Sequence, residues 1–218
     1  MEKLNLKTLY FDYDGTLHDT MRLYKPAFME AFAYLKEVGV EEDRIIPDDQ
    51  IYQYLGYTAP QMWAMYNPNL DPTIRDHASA LITKRMVQGM KEGKAALFDG
   101  ALETLKSLKK RGYHLVFFSN CKINYMQAHA QMFGLDQVFD AMVCAEQHDF
   151  ISKADILKKI LKDHPQPAAI VGDRHQDMTA GVENGLVTFA CDYGYGKEEE
   201  LVDADIHLQS ITDLLTYL

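Results

Sequence analysis

The sequence predicts an α/β fold: a doubly wound parallel sheet with a small α-helical domain inserted after the first strand. Three observations predict it. Short apolar runs show little polar alternation, which is typical of parallel strands covered on both faces. From residue 97 onward these runs alternate with amphipathic helical periods, the order expected of a doubly wound sheet. Glycines that accept the left-handed conformation (Gly112, Gly134 and Gly185) follow helical periods and precede strands.

The predicted strands are the apolar runs themselves, and the helices between them follow from leucine and isoleucine spacing. Leu102, Leu105 and Leu108 predict a helix over 101–111, and a second apolar period predicts one over 152–162. Ser152, with Asp155 three residues later, fits a capping box at the start of that second helix. The five predicted strands are residues 9–11, 115–118, 141–144, 168–171 and 187–190.

One long interval after the first strand contains no clear strand. It begins with an amphipathic helical period over 27–38, which ends at Gly39, and continues with further helical stretches. We therefore predict a catalytic core of residues 1–17 and 94–218 and a helical cap domain of residues 18–93. The interval is rich in aromatic residues, which we interpret as the cap's own core, with a stacking surface for a ring as the alternative. These residues are Tyr52, Tyr54, Tyr57, Trp63 and Tyr66.

The composition excludes several classes of partner. The chain has 218 residues and a net charge of −10, which argues against a nucleic-acid polymer as a partner, because such binding requires a basic face. No apolar run is long enough to predict a membrane span, and the first residues lack the layout of a secretory signal. Three widely spaced cysteines form neither a disulfide framework nor a zinc site. We expect a cytoplasmic protein that binds a small molecule, with its oligomeric state, monomer or dimer, left open.

Polar side chains follow four of the five predicted strands. Because ligands of parallel α/β sheets bind at the carboxyl ends of the strands, we expect these side chains to converge. They supply four carboxylates, two hydroxyls, an amide and one ammonium group. The residues are Asp12, Asp14, Gly15 and Thr16 after the first strand, Ser119 and Asn120 after the second, Lys153 after the third, and Asp173 and Asp177 after the fourth.

This combination of groups favours phosphoryl-transfer chemistry. Carboxylates packed together repel one another unless a cation neutralises them, and an oxygen-only donor set favours Mg²⁺. Lys153, Ser119 and the main-chain amides near Gly15 can hold phosphate oxygens. Asp12 and Asp14 lie two residues apart on an extended strand end, so both can face a substrate, one as nucleophile and one as proton donor.

The motifs Asp12-x-Asp14-Gly15-Thr16-Leu17, Ser119-Asn120, Lys153 and Gly172-Asp173-x-x-x-Asp177, in that order, resemble those of the haloacid dehalogenase-like hydrolase superfamily. The resemblance covers essentially the whole chain and is greatest to the phosphoglycolate phosphatase-like branch, which has a Rossmann-like core and an inserted helical cap. It implies an aspartyl-phosphate intermediate, with Asp12 as nucleophile and Asp14 as general acid and base.

The resemblance also implies the ligands of each group. Mg²⁺ would be held by the Asp12 carboxylate, the Asp14 main-chain carbonyl and Asp173, with Asp177 near the metal. The phosphoryl group would be bound by Ser119 and Lys153, with Gly15, Thr16 and Asn120 as further substrate-binding residues. Gly56 and Tyr57 resemble a cap loop that touches substrate in relatives. Arg174 departs from the small residue usual at its position. We expect it on the rim of the site, with contact to the substrate phosphate as the alternative.

The reaction expected is hydrolysis of a small phosphorylated metabolite, and alternatives remain. Asp14 favours phosphate esters over halogenated or phosphonate substrates, because a phosphate-ester leaving group needs a proton. Thr16 favours hydrolysis over the sugar phosphomutases of the same superfamily, which tend to have valine there. A nucleotide 5′-phosphatase and a non-catalytic phosphate-binding protein are further alternatives. Phosphoglycolate, a nucleoside monophosphate, a sugar phosphate and pyrophosphate all remain possible substrates.

Overall fold

The structure is a computed structural model that describes residues 3–218. The chain forms two compact units. One contains residues 1–17 and 97–218, and the other contains residues 18–96. The chain therefore leaves the first unit after Leu17 and returns to it at Leu97.

The first unit is built on a parallel sheet whose strand order is β3-β2-β1-β4-β5-β6. The chain thus starts in the middle of the sheet, extends it to one side, and then crosses over to extend it on the other. All five strand pairs are parallel. The six strands of the described residues are β1 (Thr8–Phe11), β2 (His114–Ser119), β3 (Ala141–Cys144), β4 (Ala168–Gly172), β5 (Val187–Cys191) and β6 (Ile206–Leu208).

Helices cover both faces of this sheet, which is why its strands lack polar alternation. Successive β1 side chains point to opposite faces. The helices of this unit are α5 (Ala101–Lys110), α6 (Ile123–Phe133), α7 (Lys153–Ile160), α8 (His175–Glu183), α9 (Glu198–Leu201) and α10 (Leu214–Tyr217). Leu9 and Phe11 pack in a core with residues of α5, α6 and α10, whereas Tyr10 packs in a second core with residues of α7 and α8. Short 3-10 segments lie at Leu135–Gln137, Ala145–His148, Leu161–Asp163 and Ile211–Asp213.

The second unit is helical. Its helices are α1 (Met21–Glu37), α2 (Asp48–Tyr52), α3 (Ala59–Tyr66) and α4 (Pro72–Lys91). Three of the five aromatic residues noted in the sequence pack against Phe28 or each other, as a domain core requires. Tyr54 stacks on Phe28 with ring centroids 5.6 Å apart, and Trp63 meets Tyr66 edge-on at 5.5 Å. Trp63 also donates a hydrogen bond from Nε1 to Ser79 Oγ at 2.6 Å.

The doubly wound parallel sheet predicted from the sequence is confirmed. Each predicted strand is present: the bounds of β3 are as predicted, and the other four strands are longer by one residue at one end or at both. The structure adds β6, a three-residue edge strand that the sequence analysis missed because Ile206-His207-Leu208 is too short to show a period. Ser152 is the N-cap of α7, and its Oγ accepts a hydrogen bond from the Asp155 amide at 3.1 Å.

Candidate active site

The candidate site lies at the carboxyl ends of β1 and β4, the two neighbouring strands from which the sheet extends in opposite directions. Doubly wound sheets open a crevice at this position, because the connections on either side run to opposite faces. Asp12 directly follows β1, and Asp173 directly follows β4. The register pairs Phe11 with Val171, which brings the two carboxylates to the same edge of the sheet.

Lys153 joins two buried carboxylates at the centre of the site. Its Nζ lies 2.6 Å from Asp12 Oδ1 and 2.6 Å from Asp177 Oδ1, and all three side chains are almost fully buried. Lys153 is the first residue of α7, so the Ser152 cap fixes the point from which its side chain extends. The ammonium also lies 5.1 Å from the centroid of the Phe118 ring. Three residues distant in the sequence thus form one charged cluster.

Asp173 is held through both carboxylate oxygens. Thr16 Oγ1 donates to Oδ1 at 3.2 Å, and the main-chain amide of Tyr195 donates to Oδ2 at 2.8 Å. Gly15 is required beside it: its φ is +88°, and a Cβ there would lie 2.2 Å from Asp173 Oδ2. Glycine is therefore the residue that allows the loop of residues 12–17, called the motif loop below, to approach the carboxylate this closely.

The carboxylates fit a divalent cation. Asp12, Asp173 and Asp177 each offer an oxygen, and these oxygens lie within 4.8 Å of one another. An all-oxygen donor set of this kind suits a hard cation such as Mg²⁺. Asp14 is outside this group, as expected if its main-chain carbonyl, rather than its carboxylate, contacts the metal.

The electrostatics of the cluster favour the same conclusion. Burial raises the pKa of Asp12 well above its usual range, and repulsion from Asp177 and Asp173 adds to this effect, although the Lys153 ammonium opposes it. Burial, together with repulsion from Asp177, raises the pKa of Asp173 to about 7. One ammonium group is thus insufficient to hold all the carboxylates ionised, and a bound dication would supply the missing positive charge.

Asp14 has a different environment. It is partly exposed, and its Oδ1 accepts a hydrogen bond from the Tyr125 hydroxyl at 2.6 Å. Two side chains separated by one residue in the sequence are therefore placed in distinct settings, with Asp12 buried beside an ammonium group and Asp14 held by a neutral phenol. That contrast suits different chemical roles for the two acids.

The remaining predicted residues fall into two groups. Ser119 is the buried last residue of β2, next to β1 in the sheet, and Asn120 follows it, so both lie at the edge that carries Asp12. Gly56 and Tyr57 lie in the helical unit, partly buried in the turn between α2 and α3. Their role in substrate binding stays a prediction.

Arg174 differs from its expected place on the rim. Its side chain is only 4% exposed and forms a forked ion pair with Glu200, with Nε 2.9 Å from Oε2 and Nη2 3.2 Å from Oε1. The burial results from α9, a four-residue helix that brings Glu200 to the guanidinium and that the sequence analysis did not consider. His175, by contrast, is half exposed.

The partners of the acidic residues lie outside the predicted site residues. Tyr125 lies on α6 outside every motif, and its only sequence signal is its place one turn before His129 on a helix that follows Ser119-Asn120. Tyr195 contributes a main-chain amide, which has no sequence signature at all. The neighbouring Tyr193 donates its hydroxyl hydrogen to the Thr16 carbonyl at 2.7 Å.

Comparison with known proteins is consistent with this geometry. Residues 9–191 match the model of a family described as haloacid dehalogenase-like hydrolase. The pyrophosphatase PpaX of Halalkalibacterium halodurans is 24% identical over 223 residues, which cover 97% of this chain and 96% of the relative. A 5′-nucleotidase of Pseudomonas aeruginosa is 27% identical over 203 residues, covering 91% and 88% of the two chains.

The fold is shared with solved structures. A predicted phosphoglycolate phosphatase from Haemophilus somnus superposes with a TM-score of 0.80 at 20% identity, covering 99% of each chain.

In the described part of this chain, none of the helices combines the length and apolar character that crossing a membrane requires.

Proposed function

The chain belongs to the haloacid dehalogenase-like hydrolase family, and from its site we propose a Mg²⁺-dependent phosphatase that cleaves a small phosphorylated metabolite through an aspartyl phosphate on Asp12. The observation that carries the proposal is the buried cluster in which Lys153 bridges Asp12 and Asp177 beside Asp173. Such a cluster places a carboxylate nucleophile next to fixed positive charge and a metal-binding set of oxygens.

The proposed first step forms the Asp12 ester. An Asp12 carboxylate oxygen attacks phosphorus, the bond from phosphorus to the leaving oxygen breaks, and Asp14 gives its proton to that oxygen. Lys153 favours the ionised form of Asp12 and orients it. With Ser119, Asn120 and the amides near Gly15 and Thr16, it would also hold phosphoryl oxygens. When bound, Mg²⁺ would neutralise negative charge on the carboxylates and the phosphoryl group.

The second step releases phosphate. The now ionised Asp14 accepts a proton from water as the water oxygen attacks phosphorus, and the bond to Asp12 breaks, which restores the Asp12 carboxylate and the protonated Asp14. Asp12, Asp173 and Asp177 are the side chains that would hold the metal, together with the Asp14 carbonyl. Substrate choice would belong to the helical unit, with Gly56 and Tyr57 as candidate contacts.

Free phosphate release from a generic aryl phosphate tests this proposal. We expect release that requires Mg²⁺, stops on addition of a chelator, and falls by at least about a thousandfold in Asp12→Asn, because the amide is not a nucleophile. Asp14→Asn should reduce turnover while Mg²⁺ binding, measured by calorimetry, is largely retained. Full activity in Asp12→Asn would contradict the mechanism, and collapsed Mg²⁺ affinity in Asp14→Asn would contradict the roles assigned to the two acids.

The same assay separates the alternatives. A sugar phosphomutase would convert a sugar 1-phosphate without releasing phosphate, and a non-catalytic phosphate-binding protein would release none from any substrate. A panel of phosphoglycolate, nucleoside monophosphates, sugar phosphates and pyrophosphate identifies the substrate class. The relatives named as a pyrophosphatase and a 5′-nucleotidase make pyrophosphate and nucleoside monophosphates the first members of that panel to test.

A further inference from the structure

The environment of Asp14 contains an aromatic cluster that the mechanism above does not use. Tyr125 and His129 lie one turn apart on α6, with ring centroids 4.0 Å apart. Tyr13, between the two acids of the motif, meets His129 edge-on at 5.3 Å, and its hydroxyl lies 2.8 Å from His129 Nδ1. His129 is fully buried. Helix α6 therefore packs against the motif loop through Tyr13 and Asp14. Within this cluster, Tyr125 is the residue whose hydroxyl donates to a carboxylate.

We propose that Tyr125 is a positioning residue for Asp14, whose hydroxyl fixes the orientation of the Asp14 carboxyl group so that Oδ2 carries the proton given to the leaving group. The contact is short, 2.6 Å from the hydroxyl oxygen to Oδ1, and it joins residues 111 positions apart in the chain. This inference rests on the proposed function, because it assigns Tyr125 to the acid–base step.

The chemistry of the two groups determines the direction of the hydrogen bond. A tyrosine hydroxyl, with an ordinary pKa of about 10, keeps its proton at neutral pH, and an ionised carboxylate can only accept. When Asp14 is protonated, a hydroxyl that continues to donate to Oδ1, as it does in the structure, leaves the acid proton on Oδ2. A carboxyl group whose Oδ1 is held by a packed ring has fewer orientations, which favours proton transfer at a defined atom.

The dependence of the rate on the leaving group tests this role. A poor leaving group, such as the alcohol of an alkyl phosphate, needs the proton from Asp14, whereas the nitrophenol of 4-nitrophenyl phosphate leaves readily without it. The ratio kcat/KM reports only steps up to the first irreversible one, here the transfer to Asp12, so it isolates the acid step from the later hydrolysis. A residue with a merely structural role would lower kcat/KM for both substrates alike.

The test variant is Tyr125→Phe, which keeps the ring that packs on His129 and removes only the hydroxyl. We expect kcat/KM for an alkyl phosphate to fall about tenfold, while that for 4-nitrophenyl phosphate stays within about twofold. The matched control is Tyr193→Phe, which removes a tyrosine hydroxyl that donates over a similar distance, 2.7 Å, to the main chain of the same motif loop at Thr16. Its effect should not depend on the leaving group. Thermal unfolding verifies that both variants are folded.

Asp14→Asn distinguishes the failure of this inference from failure of the proposed function. A steep leaving-group dependence in Asp14→Asn with none in Tyr125→Phe would overturn the role of Tyr125 and leave the acid assignment intact. No dependence in Asp14→Asn would overturn both. Equal leaving-group dependence in Tyr125→Phe and Tyr193→Phe would overturn the role of Tyr125, because the effect would then follow from losing any hydroxyl near the loop.

Discussion

Lys153 shows how a single residue connects the fold to the chemistry. Burial alone would lower its pKa, but the Asp12 and Asp177 carboxylates raise it well above the usual range, so the side chain stays charged. A buried ion pair of this kind is weak support for stability, because desolvation offsets much of the attraction. Its burial between two carboxylates is better explained by the proposed function, in which it would orient Asp12 for attack.

At the same scale, the raised pKa of Asp173 predicts how the stability of the metal-free protein depends on pH. Its pKa is raised from 3.8 to about 7 by burial, then by repulsion from Asp177. Folding therefore favours the protonated form, and the contribution of this group to the free energy of unfolding, present below pH 4, is lost as pH rises through about 7. In metal-free protein we expect the melting temperature to fall over this range relative to Asp173→Asn, which carries no titrating group there.

Mg²⁺ provides the control for that prediction. Saturating Mg²⁺ should raise the melting temperature of the natural sequence most at the upper end of the pH range, because the ion binds the ionised carboxylate. Asp173→Asn should show little of this increase. The assignment would be contradicted if the difference between the two melting temperatures stayed constant from pH 4 to pH 8 and Mg²⁺ raised both melting temperatures equally.

The positions of some site residues could be predicted from the sequence, because these residues follow apolar runs. Asp12, Lys153 and Asp173 each do so, and the structure brings them together in one cluster. Their catalytic and metal-binding roles stay predictions. Tyr125 and the Tyr195 amide could not be predicted, because they reach the site through helix packing and loop conformation. Those depend on contacts between distant segments, which no local period encodes.

At the scale of elements, the loop after β5 packs closely against the site. It packs main chain against main chain on the segment that bears Asp173. A Cβ on Gly196 would lie 1.9 Å from the Asp173 carbonyl oxygen, and one on Gly194 would lie 2.3 Å from Asp173 Cβ. The forked Arg174–Glu200 ion pair ties α9, at the end of this loop, to the start of α8. The loop therefore acts as a support for a predicted metal ligand.

Gly196→Ala tests that support. The added methyl group should push the loop away and weaken the hydrogen bond from the Tyr195 amide to Asp173, so we expect several-fold weaker Mg²⁺ binding by calorimetry and a stability loss of about 1–3 kcal/mol. Gly112→Ala is the matched control. Gly112 has a φ of +92° with nothing within 4 Å of an added Cβ, so this change should cost about 1–2 kcal/mol without altering Mg²⁺ affinity. Equal Mg²⁺ affinity in the two variants would contradict the role of the loop.

At the scale of the whole molecule, we propose that chemistry belongs to one unit and substrate selection to the other. The unit formed by residues 1–17 and 97–218 contains the described carboxylate cluster, and the helical unit formed by residues 18–96 interrupts it in sequence. The helical period over 27–38 and the lack of a clear strand in this interval predict such an interruption. The identity of the substrate was not visible, because aromatic residues of a small helical unit serve its own packing as well as any ligand.

Tyr57→Ala tests whether the helical unit selects the substrate. We expect the order of kcat/KM across the panel of phosphorylated metabolites to change, by at least about tenfold for the preferred substrate, with Mg²⁺ affinity unchanged. Tyr34→Ala is the control: this tyrosine of the same unit packs on His77, with ring centroids 4.4 Å apart. Its loss should leave the order of substrates unaltered. The same order in all three proteins would remove Tyr57 from the proposed substrate contacts.

The central claim is that Asp12 carries the phosphoryl group during turnover. The most direct measurement is mass spectrometry of peptides from the Mg²⁺-loaded protein, quenched in acid during turnover of excess substrate. We expect a phosphoryl group on the peptide that contains Asp12. It should be trapped in greater yield in Asp14→Asn, where the hydrolysis step lacks its base, and it should be absent in Asp12→Asn. A phosphoryl group on another residue, or phosphate release that continues in Asp12→Asn, would contradict it.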